Sequence, residues 1–345
     1  MNDAAAAPLI TSRFSFTGRA REYFRIWVVS VCLSIVTLGI YSAWGKVRKR
    51  RYLYAHTLLD GTGFEYRASP IAVLKGRVIV VLLLGGFALS AHFLPLAQVV
   101  FTILILLLTP WITVAASRFN ARNSAWRNIA FGFDGRIGEA AKVVLGLGAL
   151  SIVTLGFGFP YFRMRRARFI IAHHRFGSTP FQADLAIGGF ILTYLLAFLM
   201  LIGSGVLFAF LMGALGFLLP KGARPGTIFV FSPLVLYAVY VAIFAYVRAQ
   251  IGNITMNGLV AGPLRCRSTL RTRDLIWLYF SNIFAVLGTL GLATPWATLR
   301  VARYRAQNLY LIGHASPAEF VGAPASDSRA AGSEASDLYD VDISL

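Results

Sequence analysis

Thr37-Leu38-Gly39, Thr154-Leu155-Gly156 and Thr289-Leu290-Gly291 are three copies of one triplet, and their surroundings repeat with them. Twenty residues before each Gly stands an Arg (Arg19, Arg136, Arg271), and seventeen before it an acid (Glu22, Glu139, Asp274). Five after it comes an aromatic (Trp44, Tyr161, Trp296). Arg follows at nine and twelve (Arg48 and Arg51, Arg165 and Arg168, Arg300 and Arg303), a second aromatic at thirteen (Tyr52, Phe169, Tyr304), and His56, His173 or Asn308 at seventeen. An internal repeat with this many fixed offsets governs architecture before any single motif is weighed.

The setting of the repeat is apolar. Of 345 residues 57% are hydrophobic, with a mean hydropathy of +0.67, too apolar for an ordinary soluble domain. Val78–Leu94, Leu96–Ala116, Ala186–Leu219 and Ile228–Val247 read as membrane-spanning helices. The Thr-Leu-Gly elements, near Ile26–Trp44, Val143–Phe162 and Ile276–Ala297, have about that length too. The expected fold is an all-α polytopic membrane protein. Each repeat would be a broken or re-entrant Thr-Leu-Gly element followed by a transmembrane helix hairpin, in two full copies and a third partial one (about 13–117, 118–247 and 248–313). Short Phe-, Gly- and Asp-containing stretches (Phe14–Gly18, His56–Tyr66, Phe131–Gly135) read as extended segments on the cytoplasmic side. Residues 1–12 read as a flexible N-terminus with no secretory signal, and 314–345, with six of the fourteen acids, as a disordered acidic tail.

Charge bears on topology. If all seven apolar elements cross, the loops on the two sides carry 14 and 19 basic residues. If the Thr-Leu-Gly elements dip in and return, two basic residues (Lys221, Arg224) lie outside and 31 inside, which the positive-inside rule favours. That places both termini in the cytoplasm. Fold-back also brings the Arg–acid pairs Arg19/Glu22, Arg136/Glu139 and Arg271/Asp274 toward the Arg pair that follows each Gly, with Gly39, Gly156 and Gly291 as the breaks and Pro160 and Pro295 beside two of them. The alternative is a kinked spanning helix.

A shorter spacing accompanies the exits: Arg51-His56-Gly61, Arg168-His173-Ser178, Arg248-Asn253-Gly258, Arg303-Asn308-Gly313 and, more loosely, Arg118-Asn123-Asn128. The plain reading is a helix stop, since cations and Asn or Gly suit helix C-termini. The functional reading is an anion- or headgroup-binding mouth built from Arg48, Arg51, Arg165, Arg168, Arg300 and Arg303 with His56, His173 and Asn308.

No nucleophile constellation, phosphate loop, dinucleotide fingerprint or metal-ligand spacing is present, so no enzyme activity, cofactor or metal is expected. Cys32 and Cys266 read as reduced thiols. The net charge of +19 flanks apolar segments and points to anionic lipid headgroups rather than nucleic acid, with the acidic tail a possible contact for a protein partner. Passage of an anionic or lipid-like solute is the first functional expectation, and a lipid-binding scaffold the alternative.

Phe14-Ser15-Phe16-Thr17-Gly18, Glu22-Tyr23-Phe24, Thr37-Leu38-Gly39-Ile40-Tyr41-Ser42-Ala43-Trp44, Lys46-Val47-Arg48, Arg51-Tyr52 and Leu59-Asp60-Gly61 resemble the YjgN family. The resemblance runs over roughly 13–313 and implies a location in the bacterial inner membrane. It assigns no activity and no catalytic residues. The later copies depart from it, reading Phe157-Gly158-Phe159-Pro160-Tyr161 and Leu292-Ala293-Thr294-Pro295-Trp296.

Overall fold

The computed structural model describes residues 9–93, 95–218 and 226–314; residues 1–8 and the tail from 315 on lie outside them. Helical hairpins alternate with β-hairpins along the chain. β1 (Ile10–Phe16) leads into α1 (Ala20–Val36) and α2 (Ser42–His56). β2 (Thr57–Leu59) and β3 (Thr62–Tyr66) lead into α3 (Pro70–Phe93) and α4 (Pro95–Asn123). β4 (Ser124–Trp126) and β5 (Ile129–Phe133) precede α5 (Ile137–Ala141), a π turn over Lys142–Gly146, α6 (Leu147–Val153) and α7 (Phe159–Ala172). β6 (His174–Phe176) and β7 (Thr179–Ala183) precede α8 (Ile187–Leu218) and α9 (Gly226–Asn257). β8 (Leu259–Ala261) and β9 (Leu264–Ser268) precede α10 (Thr272–Gly288), α11 (Thr294–Gln307) and β10 (Leu309–Gly313).

The expectation of an all-α fold is overturned. The ten strands form one closed antiparallel barrel in chain order, β10 returning to β1 with Ile10 opposite Gly313, and β1 also pairing β2 with Phe14 opposite Leu59. Closure leaves no open sheet edge. Strands of three to seven residues allow only a few alternations of inside and outside, too few for a period-two signal in an apolar chain. The N-terminal stretch is likewise ordered from Ile10 on, inside the 1–12 read as flexible.

Every strand sends a side chain into one cluster inside the barrel. Phe14, Phe64, Trp126 and Phe176 form its aromatic centre, with Phe131 and Phe181 against them. Phe131 and Phe176 lie 4.8 Å apart by ring centroid, and Phe14 stacks on Phe64 at 6.1 Å. The barrel is therefore a packed core and not a water-filled channel. Burial in this cluster pushes the Cys266 thiol from 9.0 up to about 12. Two consequences are expected. Maleimide should leave Cys266 unmodified at neutral pH while the barrel is intact. The neutral thiol also contributes stability that is whole below pH 9.0 and is lost as pH rises toward about 12, because the unfolded thiol ionises first. A Cys266→Ala variant with an unchanged alkaline unfolding midpoint would refute the second.

The Thr-Leu-Gly elements fold back, as the repeat implied. In each, Leu adopts the left-handed region (φ 50°, 52°, 49°) and Gly follows at φ 92° to 94°. Gly39 N–H donates to Ser34 O at 2.7 Å and Leu38 N–H to Ile35 O at 3.2 Å, a Schellman ending on α1. The Thr hydroxyl splices the two helices: Thr37 Oγ1 donates to Leu33 O (2.7 Å) and accepts from Tyr41 N–H (2.9 Å). Thr154 and Thr289 repeat this, with Gly158 and Ala293 as amide donors. The turn therefore satisfies much of its own backbone, as an apolar setting demands. Thr→Val at one turn should cost about 1–2 kcal/mol and the three together roughly the sum, read as a lowered melting temperature in detergent. A triple variant melting like the parent would show that the hydroxyls do not hold the turns.

The helices close a ring over the barrel, the second helix of each hairpin packing on the first of the next and α11 on α1. The three repeats resolve into five units. One buried pair recurs at each junction, the two side chains sharing a core cluster: Val47 with Val73, Val114 with Ala140, Met164 with Phe190, Ala249 with Leu275, and Leu299 with Tyr23. Four helices are long and apolar enough to cross a membrane, over Pro70–Ser90, Leu96–Asn123, Ile187–Ala214 and Val235–Asn257, matching the four windows read as spans.

Candidate functional site

The exit pattern is a helix ending that recurs in four of the five units, the fourth unit having Gly258 in its place. His56 Nδ1, Asn123 Nδ2, His173 Nδ1 and Asn308 Nδ2 each lie 2.8 Å from the carbonyl oxygen four residues earlier. Histidine and asparagine alternate here because each places one nitrogen donor at the same reach from the backbone. Five residues earlier a side chain ties the helix to the next unit. Arg51 Nη2 donates to Ala68 O (3.0 Å), Arg118 Nη2 to Gly135 O (3.2 Å), Arg168 Nη2 to Leu185 O (2.7 Å), and Arg303 Nη2 to Gly18 O (2.9 Å) across the ends of the chain. In the fourth unit Asn253 Nδ2 does this, donating to Leu270 O at 2.8 Å. The spacing Arg248-Asn253-Gly258 was thus one step out of register. Asn253 fills the Arg slot, as its 17-residue distance to Leu270 signals.

Fold-back brings the acid of each copy to the aromatic and His positions rather than to the Arg nine after Gly. The Tyr52 hydroxyl accepts from the Arg19 amide (2.8 Å) and donates to Glu22 (3.0 Å), with His56 Nε2 4.0 Å from the same carboxylate. Arg19 lies 3.9 Å from Glu22 and is mostly exposed, so that pair adds little. Tyr304 repeats the arrangement with the Arg271 amide (2.9 Å) and Asp274 (3.3 Å). The middle copy has Phe169 in the tyrosine's place, and there His173 Nε2 pairs with Glu139 at 2.9 Å. Arg136 is the N-cap residue of α5.

The remaining arginines have local partners of their own. Arg48 is exposed, Arg165 lies over the Tyr161 ring at 6.0 Å, and Arg300 lies over Trp296 at 4.5 Å while donating to Ser281 Oγ and Asn282 Oδ1, both at 2.8 Å. Each sits on its own hairpin. Two features escaped the sequence reading. Seven residues before each tying side chain stands a large aromatic, so Trp111 and Tyr246 join Trp44, Tyr161 and Trp296 in a belt of equivalent helix positions around the ring. And the described acids all lie in the barrel layer, its turns or the first turn of a helix (Glu22, Asp60, Glu65, Asp134, Glu139, Asp184, Asp274), whereas Lys46, Lys49, Arg163, Arg166 and Arg300 stand higher on the second helices. The spacing to Arg118 and Asn253 carried the belt, but the long apolar runs of α4 and α9 hid it.

The family described as "Bacterial protein of unknown function (DUF898)" matches residues 11–338. The chain belongs to the DUF898 family. The inner membrane protein YjgN of Salmonella typhimurium is 26% identical over 352 residues, covering 86% of this chain and 88% of the relative. The inner membrane protein YjgN of Escherichia coli K12 is 33% identical over 127 residues, 35% of this chain and 31% of the relative. No solved structure matches this DUF898 chain. The YjgN resemblance read from the Thr-Leu-Gly region is borne out, and the relatives are inner membrane proteins.

Proposed function

We propose that this protein binds anionic lipid-like solutes at the inner face of the membrane and lets them pass along its ring of uneven height. The observation that carries the reading is the layer of Lys and Arg on the second helices, set above the acids and level with the aromatic belt. Trp and Tyr favour the headgroup level, so the belt marks the interface and the barrel lies in the cytoplasm with both ends of the described chain. From Trp44 to Leu38 is six residues, most of them in the turn, so the tip stands less than about 9 Å above the belt. From Tyr246 back to Gly226 is twenty, about 30 Å, which matches a hydrocarbon core. On this reading four helices cross while the three short hairpins only dip, leaving low stretches in the wall between tall ones. Leu38, Leu155 and Leu290 at their tips are 95%, 89% and 95% exposed, which suits hydrocarbon and not water.

The aromatic filling of the barrel disfavours an aqueous route along its axis, so the solute is one that moves at the bilayer's edge. The test is exchange of fluorescent phosphatidylglycerol between leaflets of vesicles holding the full chain. Accelerated exchange over protein-free vesicles is expected. No acceleration despite retained phosphatidylglycerol binding would remove passage and leave the scaffold, the reading that the packed barrel itself favours.

A further inference from the structure

The five junctions between hairpins are equivalent, so four serve as references for the fifth. At the junction of α2 with α3, Arg77 donates to the Ser42 hydroxyl, and Lys49 lies within electrostatic reach of both Arg77 and Lys46. Arg50 flanks them, donating to Asn120 Oδ1 at 3.1 Å and the Tyr66 hydroxyl at 3.3 Å. In the slot of Arg77 the other junctions carry Trp27, Val144, Tyr194 and Tyr279; in that of Lys49 they carry Ala116, Arg166, Ile251 and Val301. The α2–α3 junction thus departs from the five-fold pattern by gathering three cations. The pattern does not need this departure, because Val47 and Val73 already pack the joint.

Lys49 is half-buried, and burial first, then the Arg77 and Lys46 charges, pull its amine below the ordinary lysine value. A bound anion opposes that lowering by favouring the charged amine. Lys46 stands two residues from Trp44, so on the membrane placement proposed above the cluster lies at the headgroup phosphates.

We propose that Lys46, Lys49 and Arg77 form a site for a phosphate group, as the diester of an anionic lipid headgroup or as free phosphate. It deepens the lipid-binding reading and rests on it. Ammonium groups of α2 and a guanidinium of α3 lie within electrostatic reach of one another beside the Ser42 hydroxyl, a donor set that suits a tetrahedral anion with several acceptor oxygens.

The test uses the full chain in detergent, titrated separately with short-chain phosphatidylglycerol, the matching phosphatidylcholine and inorganic phosphate. The readouts are lipid occupancy by native mass spectrometry and protection of Lys49 from acetylation. Phosphatidylglycerol should protect Lys49 and phosphatidylcholine should not. Lys49→Gln with Arg77→Gln should weaken phosphatidylglycerol binding about tenfold, while Arg273→Gln on α10 leaves it unchanged. Arg77→Tyr, taking the residue found in the same slot of α8 and α10, is the second variant; it preserves the packing seen there and should also weaken binding. Undiminished binding in both variants would overturn the site while leaving the general reading intact. A parent protein that does not distinguish phosphatidylglycerol from phosphatidylcholine would overturn that reading instead. Protection by inorganic phosphate alone would uphold the site and overturn its assignment to lipid.

Discussion

Replacing Leu38, Leu155 and Leu290 together by Asp is expected to expel the three short hairpins from the bilayer. Each Leu is almost fully exposed at a hairpin tip, on a turn whose backbone hydrogen bonds are internal. The left-handed conformation of each Leu costs about 1 kcal/mol that Gly would avoid, so the side chain has a reason to be there. A lipid-facing tip supplies one. An aspartate at that depth should cost about 2 kcal/mol, and the three about 6 kcal/mol. A fluorophore at position 40, read by quenching from lipids carrying shallow acyl-chain nitroxides, measures the dip directly. The parent should be quenched and the triple variant not. Equal quenching in both would show that the tips do not enter hydrocarbon.

The second large effect belongs to the barrel. Phe64 is buried, with Phe14, Trp126 and Phe131 ring centroids at 6.1, 6.2 and 6.5 Å. Phe64→Ala should therefore leave a cavity and cost about 3–5 kcal/mol. Cys266 shares that cluster and reports on it. Its reaction with maleimide should accelerate in Phe64→Ala because the loosened barrel opens more often. An unchanged melting temperature with an unreactive Cys266 would mean that the interior tolerates the loss, contrary to its close packing.

Legibility in the sequence followed the length of each element. Long elements showed themselves: the four spans, the fold-back at Gly39, Gly156 and Gly291, and the pairing of Glu22, Glu139 and Asp274 with groups beyond the turn. Short elements did not. The stretch Phe14-Ser15-Phe16 and the turn at Asp60-Gly61 read as extended segments, but nothing in them said that all such segments join one barrel, because strand pairing depends on partners far apart in the chain. The five-fold order was visible in Arg51, Arg118, Arg168 and Arg303 and was obscured at the fourth unit, where Asn253 does an arginine's work and Arg248 stands five residues away as a decoy. The candidate site was half legible. Residue types pointed to anions, but whether a guanidinium is held by a backbone carbonyl, as Arg51 and Arg168 are, or gathers with other cations, as Arg77 does, depends on neighbours from another hairpin.

Because β10 lies beside β1, the ring has no start that its packing recognises. The first and last strands among the described residues are ordinary neighbours, and Arg303 reaches Gly18 as Arg51 reaches Ala68. Order of synthesis is then a matter of history rather than of architecture. A gene rewired to begin at Gly61 and end at Asp60, with the old ends joined by a short linker, should yield the same barrel. During translation the native arrangement has a cost: β1 must wait with one side unpaired until residues 309–313 emerge, so the whole helical ring is made before the barrel beneath it can shut.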